Sequence, residues 1–192
     1  MQSWYWWQPW VQISYNNAHK ACDAAGYKLI TELQALAIVY NIIAQDVNWS
    51  EGKVGEGHIY RGLRMGLVNE AQSPSYEPID PDERRWHQFS NGERIFDFSG
   101  NAFIWVFDNV QGDEKGIIER QFAEDSISIV PIYNRPVRGV DWHIAAGDDR
   151  SGHAIVRGAN WCSGRGDWFG LYINFPDYIG TDIGFRCTKT LT

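Results

Sequence analysis

Ile155-Val156-Arg157-Gly158-Ala159-Asn160-Trp161 and Ile183-Gly184-Phe185-Arg186-Cys187 bracket a stretch running from Cys162 to Asp182. The bracketed residues are Cys162-Ser163-Gly164-Arg165-Gly166-Asp167-Trp168-Phe169-Gly170-Leu171-Tyr172-Ile173-Asn174-Phe175-Pro176-Asp177-Tyr178-Ile179-Gly180-Thr181-Asp182. No sustained alternation of strand type and no helical period organises them. The stretch is too irregular for a core element and too poor in paired ligands for a catalytic centre. Its chemistry suits recognition: Tyr and Trp give stiff contact area, and Ser, Gly and Asn give adaptable hydrogen bonding, as in antibody loops.

Working outward, the whole chain has 192 residues and 44% hydrophobic composition. A chain of that size buries roughly 70% of the surface its unfolded form exposes, and one domain over 1–192 is the default. Seventeen Lys and Arg stand against twenty-four Asp and Glu, for a formal charge of -7. A surface built to neutralise phosphates would be basic, so neither nucleic acid nor an anionic membrane is an expected partner. No apolar run is long enough to insert into a bilayer. Met1-Gln2-Ser3-Trp4-Tyr5-Trp6-Trp7 has neither a basic region nor an apolar run ended by small residues, so no secretory signal is expected; the compartment is left open. Ten Trp, nine Tyr, nine Phe and nineteen Gly point to ordered loops closely packed around large rings.

Ser14 reads as the cap of a short helix carrying Ala18, Ala21, Cys22 and Ala25, ended by Gly26. Thr31-Glu32-Leu33-Gln34 reads as a capping box opening a second helix, with Leu33, Leu36, Ala37, Tyr40, Ile43, Ala44 and Val47 as the expected buried stripe. Beyond Asn48 no helical period lasts. Short strands are expected at Ile59 to Leu63, Ile95 to Phe98, Phe103 to Phe107, Ile127 to Tyr133 and Ala154 to Arg157, with a long surface loop from Asn69 to Asp82. Helices first and strands afterwards means α+β. Trp4, Trp6, Trp7 and Trp10 fit either alternating burial in an N-terminal strand or an exposed oligomer contact.

Three stretches resemble, in order, the formylglycine-generating-enzyme-like branch of the C-type lectin fold. Gln12 to Cys22, Gly26-Tyr27-Lys28-Leu29 and Thr31-Glu32 resemble that family's helix, Gly-x-x-Leu turn and Thr-Glu second helix, although Ile30 stands where a proline is usual. Ile95-Phe96-Asp97-Phe98-Ser99-Gly100-Asn101-Ala102-Phe103-Ile104-Trp105 is similar to its Leu-x-Asp-Met-x-Gly-Asn-Val-Trp-Glu-Trp strand pair. Arg157-Gly158-Ala159-Asn160-Trp161 with Gly184-Phe185-Arg186 resembles its Arg-Gly-Gly-Ser-Trp to Gly-Phe-Arg ending. The resemblance implies a C-type lectin-like domain with two helices near the N-terminus, short antiparallel strands and extensive ordered loops. It also implies pairing of Cys22 with Cys187; the residues alone fit equally well two reduced thiols packed as small apolar groups.

Enzymes of that family use two nearby cysteines in the last segment to bind copper and activate oxygen. Here Cys162 has no such companion, and thiolate metal chemistry needs convergent soft ligands. No catalytic residue, cofactor or metal is therefore expected. His19 and Cys22 share a helix face, which the helix alone accounts for, and His58, His87, His143 and His153 have no ligand spacing. Glu77-Pro78-Ile79-Asp80 is not the triplet by which calcium-dependent lectins read sugars. Asn48-Trp49-Ser50 spells a glycosylation sequon.

Proteins diversified by diversity-generating retroelements carry a similar stretch before Ile-Gly-Phe-Arg on the same fold branch, where adenine-directed mutation rewrites Asn codons. Cys162, Ser163, Gly164, Asp167, Tyr172, Asn174, Phe175, Tyr178, Gly180, Thr181 and Asp182 are reachable in that way. Arg157, Gly158, Trp161, Pro176, Ile183, Gly184, Phe185 and Arg186 look like its fixed frame. The resemblance implies a variable segment over 157–186 that binds a protein or other macromolecular ligand. Trp168, Phe169, Tyr172, Phe175 and Tyr178 would be its anchors, and Arg165 and Asp167 its charged selectors. A formylglycine-generating-enzyme-like oxidoreductase using Cys162 and a lectin-like module of fixed specificity are the other readings.

Overall fold

The computed structural model describes residues 8–129, 144–164 and 169–189. Helix α1 (Tyr15–Ala24) starts where the Ser14 side chain accepts a hydrogen bond from the Asn17 amide. It stops at Gly26, whose φ of 75° allows the Gly26 and Tyr27 amides to bond back to the Asp23 and Cys22 carbonyls. Strand β1 (Lys28–Leu29) follows, and then α2 (Glu32–Ile43) opens on a complete capping box between Thr31 and Gln34. The remaining strands are β2 (Trp86–Gln88), β3 (Arg94–Phe96), β4 (Phe103–Val106), β5 (Ala154–Arg157), β6 (Leu171–Asn174), β7 (Ile183–Phe185) and β8 (Cys187–Thr188). The architecture is α+β, with short strands joined by long ordered loops.

Among the described residues the strands form three small sheets, and the largest has the order β6-β5-β4-β7. Its β7 runs parallel to β4 and its other pairs are antiparallel. Successive side chains leave a strand on opposite faces. Ile104, Val106, Ile155 and Leu171 accordingly join α2 residues Ala35, Val39, Ile42 and Ile43 in one core, while Trp105, Ala154, Val156 and Ile183 join Tyr15, Ala18 and Cys22 of α1 in another. Burial on both faces explains why Ala154–Arg157 has no polar alternation and is buried throughout. Trp105 is anchored by its indole N–H, which donates to the Ile13 carbonyl at 2.8 Å. β1 pairs with β8, and a Cys22–Cys187 disulfide with a Cα separation of 5.5 Å fastens α1 to the C-terminal strand beside that pairing.

Several sequence-based expectations need correction. The buried face of α2 is Glu32, Ala35, Leu36, Val39, Ile42 and Ile43, whereas Leu33, Ala37, Tyr40, Ala44 and Val47 are exposed. The phase is set by Glu32, fully buried at the first turn because Arg157 receives it from the sheet. Residues 59–63 form no strand: only Ile59 bridges, to Trp49, and Gly62 turns the chain with φ 65° where a Cβ would meet the Ser99 carbonyl at 2.3 Å. Residues 127–129 lie in a turn, and the rest of the strand expected up to Tyr133 falls outside the described residues. Strands β2, β6, β7 and the β1–β8 pair were not foreseen. Trp10 is 63% exposed, while Trp4, Trp6 and Trp7 lie outside the described residues.

The sequon is spent on structure. Asn48 is buried, its amide donates to the Ile42 and Gln88 carbonyls at 2.8 Å, and its oxygen accepts from the Gln88 amide. A glycan on that nitrogen has no room in the folded protein. His87 is buried as well, with Nε2 donating to the Tyr60 carbonyl at 2.7 Å; burial pushes its pKa down to about 4, so it is a neutral core histidine.

Candidate ligand-binding surface

The surface between Arg157 and Arg186 begins from a buried charge. Arg157, the last residue of β5, faces the α2 side of the sheet and forms a two-pronged ion pair with Glu32, which is itself fully buried. Its remaining donors reach the Phe169 carbonyl at 3.3 Å and the Ser128 carbonyl at 3.0 Å. One guanidinium thus ties α2, β5, the 126–129 turn and the entry to β6. Every charge-assisted bond here is satisfied, which is what makes a buried pair tolerable.

Past Arg157 the chain turns at Gly158, with φ 84°. Asn160 then locks the next loop: its Oδ1 accepts from the Cys162 amide and the Ser163 hydroxyl, and its Nδ2 donates to Asp182 at 2.7 Å. Asp182 in turn accepts through its backbone carbonyl from Phe103, the first residue of β4. The Asn160–Asp182 bond therefore clips the start of the segment to its end. At the far side, Gly184 lies where a Cβ would meet the Trp10 carbonyl at 2.9 Å, so no side chain fits there. Arg186 donates to the Phe96 and Asp97 carbonyls, closing the frame onto β3.

On this frame, Tyr172, Asn174, Tyr178 and Asp182 come together around a cleft of about 110 Å³. Phe103, Val156 and Ile183 also line it, and Ile173 completes it. Tyr172 packs on Phe103 with ring centroids 4.7 Å apart. Beyond β6 the loop turns outward: Phe175 is 61% exposed and rests on the His153 ring at 4.6 Å, and Tyr178, Ile179 and Thr181 are exposed. Cys162, Ser163 and Gly164 sit on the separate loop that Asn160 holds, where the Gly164 amide donates to the Arg64 carbonyl and the Gly164 carbonyl accepts from the Arg64 guanidinium. Arg165, Asp167 and Trp168 lie outside the described residues.

Two expected contact residues are core. Phe169 is 2% exposed and packs against His87 and Phe98, because Arg157 draws the Phe169 carbonyl, and the chain with it, into the α2 side. Gly180 is buried, its carbonyl accepting from the Gln12 amide, and a Cβ there would strike Asp182 and the Tyr178 ring. Nor is the segment free of regular structure, since β6 lies within it. Phe103, Ile173 and His153, which were not singled out, contribute to the surface; only the β4–β5–β6 register brings them there.

The single thiol is a poor nucleophile. Cys162 is exposed, yet desolvation of its sulfur and the nearby Asp182 carboxylate hold its pKa above the ordinary value, against a weaker opposite pull from Asn160. The other two cysteines are joined to each other, so the residues present do not fit a two-cysteine copper centre. Among the described residues, no three His, Cys, Asp or Glu side chains are grouped to hold a metal ion, and no helix is long and apolar enough to cross a membrane. Compared with models of protein families and with curated proteins, the chain finds a match in neither.

Proposed function

We propose that the protein is a ligand-binding, receptor- or adhesin-like variable protein, in which a C-type lectin-like scaffold of the formylglycine-generating-enzyme-like branch displays a surface diversified by a retroelement. The ligand is a protein or another macromolecule, and the mechanism is recognition without turnover. The observation that carries this is how burial sorts the segment. No frame residue among Arg157, Gly158, Trp161, Pro176, Ile183, Gly184, Phe185 and Arg186 is exposed. Of the changeable ones among the described residues, Cys162, Phe175, Tyr178 and Thr181 are exposed, Ser163, Gly164, Tyr172, Asn174 and Asp182 are half-buried, and Gly180 is buried. A face whose side chains change without disturbing the backbone beneath it is what diversification requires. The raised thiol pKa of Cys162 and the absence of a free companion cysteine favour recognition over oxygen chemistry.

The reading is tested by a display library that randomises Cys162, Tyr172, Asn174, Phe175, Tyr178 and Thr181 together. Most members are expected to stay folded, each exposed change altering stability by less than about 0.5 kcal/mol, and selection against unrelated purified proteins yields specific binders. A library in which most members lose protease resistance, or which yields no binder to any target, contradicts it.

A further inference from the structure

The β2–β3 hairpin holds a second surface feature, remote in sequence from the segment just described. Its register places Trp86 opposite Phe96 and Gln88 opposite Arg94. With alternate side chains on alternate faces, His87 and Ile95 turn to the core, and Trp86, Arg94 and Phe96 share the outer face. Arg94 lies diagonally across from Trp86 and stacks on its indole at 3.8 Å. Arg84 stacks at 3.8 Å on the same indole and at 3.8 Å on the Tyr60 ring. The result is a stack of Tyr60, Arg84, Trp86 and Arg94, of which the last three line a groove of about 270 Å³ together with Phe96, Tyr76, Glu77 and Pro78.

Two guanidiniums against one indole repel each other. Among the described residues, Arg84 donates to the Trp86 carbonyl and the Asn48 side chain, both uncharged, Arg94 stands exposed against the indole, and neither is ion-paired, Glu77 included. The neighbouring Arg85 shows the contrast: it is saturated by Asp97 and by the Ser73, Tyr76 and Gln72 carbonyls. Burial pushes the Arg84 pKa down to about 10; Tyr60 pulls it the other way, and the charge of Arg94 adds a smaller downward push. Stacking also fixes both guanidinium planes, which lowers the ordering cost of binding an oxyanion.

We propose that this groove is a binding site for an oxyanion, a phosphate or sulfate ester, drawn by Arg84 and Arg94 at the rim of the Trp86 ring they flank, with the ring that carries it lying against Phe96 and Tyr76. Arg84, Trp86 and Arg94 lie outside 157–186, so on the reading proposed above the site would serve every variant alike.

Calorimetric titration of the full chain at constant ionic strength, with inorganic phosphate and with phenyl phosphate, tests it. One saturable site is expected, with phenyl phosphate binding more tightly than the free ion. Arg94→Gln, at an exposed strand position, is expected to weaken binding by about tenfold or more, while Lys53→Gln, which removes an exposed charge elsewhere, leaves it unchanged. No saturation by about 10 mM ligand, a range in which even weak specific sites fill, overturns the proposal. So does an Arg94→Gln protein that binds as the parent does, or an equal loss in Lys53→Gln. Equal affinity for the two phosphates overturns the role given to Phe96 and Tyr76 and identifies the free ion as the ligand.

Discussion

Arg157→Met lowers the free energy of unfolding by about 3–5 kcal/mol, the usual cost of stranding one partner of a buried ion pair. Glu32 has no solvent-exposed surface, and its carboxylate's partner comes from a position 125 residues away in sequence. With Arg157 gone, the carboxylate stays in the α2 core without a counter-charge, and the Phe169 and Ser128 carbonyls lose a donor. The double variant Glu32→Leu/Arg157→Met is expected to recover most of the loss, because packed apolar side chains replace a buried pair at little or no net cost. Urea unfolding of the parent, both single variants and the double variant measures this directly. Equal midpoints for parent and Arg157→Met would mean that the pair contributes nothing to holding β5 against α2.

The disulfide is the second large term. Cys22 and Cys187 are 165 residues apart, so their bond removes a great deal of freedom from the unfolded chain. The loop-entropy model gives an upper figure of roughly 5 kcal/mol, and measured losses for native disulfides run from about 2 to 5 kcal/mol. Cys22→Ala/Cys187→Ala is therefore expected to unfold at lower denaturant by an amount in that range, with amide exchange first accelerating in β8 and β1. Exchange unchanged in both strands would show that their hydrogen bonds, not the covalent link, hold the C-terminal strand in place.

What could be read from the sequence depended on how far apart the deciding residues lie. Ser14, the Thr31–Gln34 box and Gly26 act within four residues of themselves, and the helix ends they imply are the ends observed. The face that α2 buries is set by Arg157, and an apolar count along the helix places Leu33 and Tyr40 inside when both are exposed. β4 and β5 announce themselves as apolar runs. β6 does not, since its Leu171 faces one core and its Tyr172 a half-open cleft, an asymmetry that exists only once β5 lies beside it. At the surface, Phe175 and Tyr178 are as exposed as a recognition loop needs, but aromatic character by itself assigns no side, and Phe169 belongs to the core. Residue type set 162–182 apart only in composition, whereas the Asn160–Asp182 clip and the β4 floor beneath Tyr172 come from contacts between distant parts of the chain.

Sequencing the DNA around the gene, and the same locus in related isolates, tests whether 157–186 is a fixed frame carrying a rewritten face. A near-copy of the Arg157 to Arg186 coding region is expected beside a reverse transcriptase gene, differing from the expressed copy at adenines and sparing the codons for Arg157, Gly158, Ile183 and Gly184. Expressed copies that are identical from Cys162 to Asp182 across a population, with no such near-copy nearby, would contradict it.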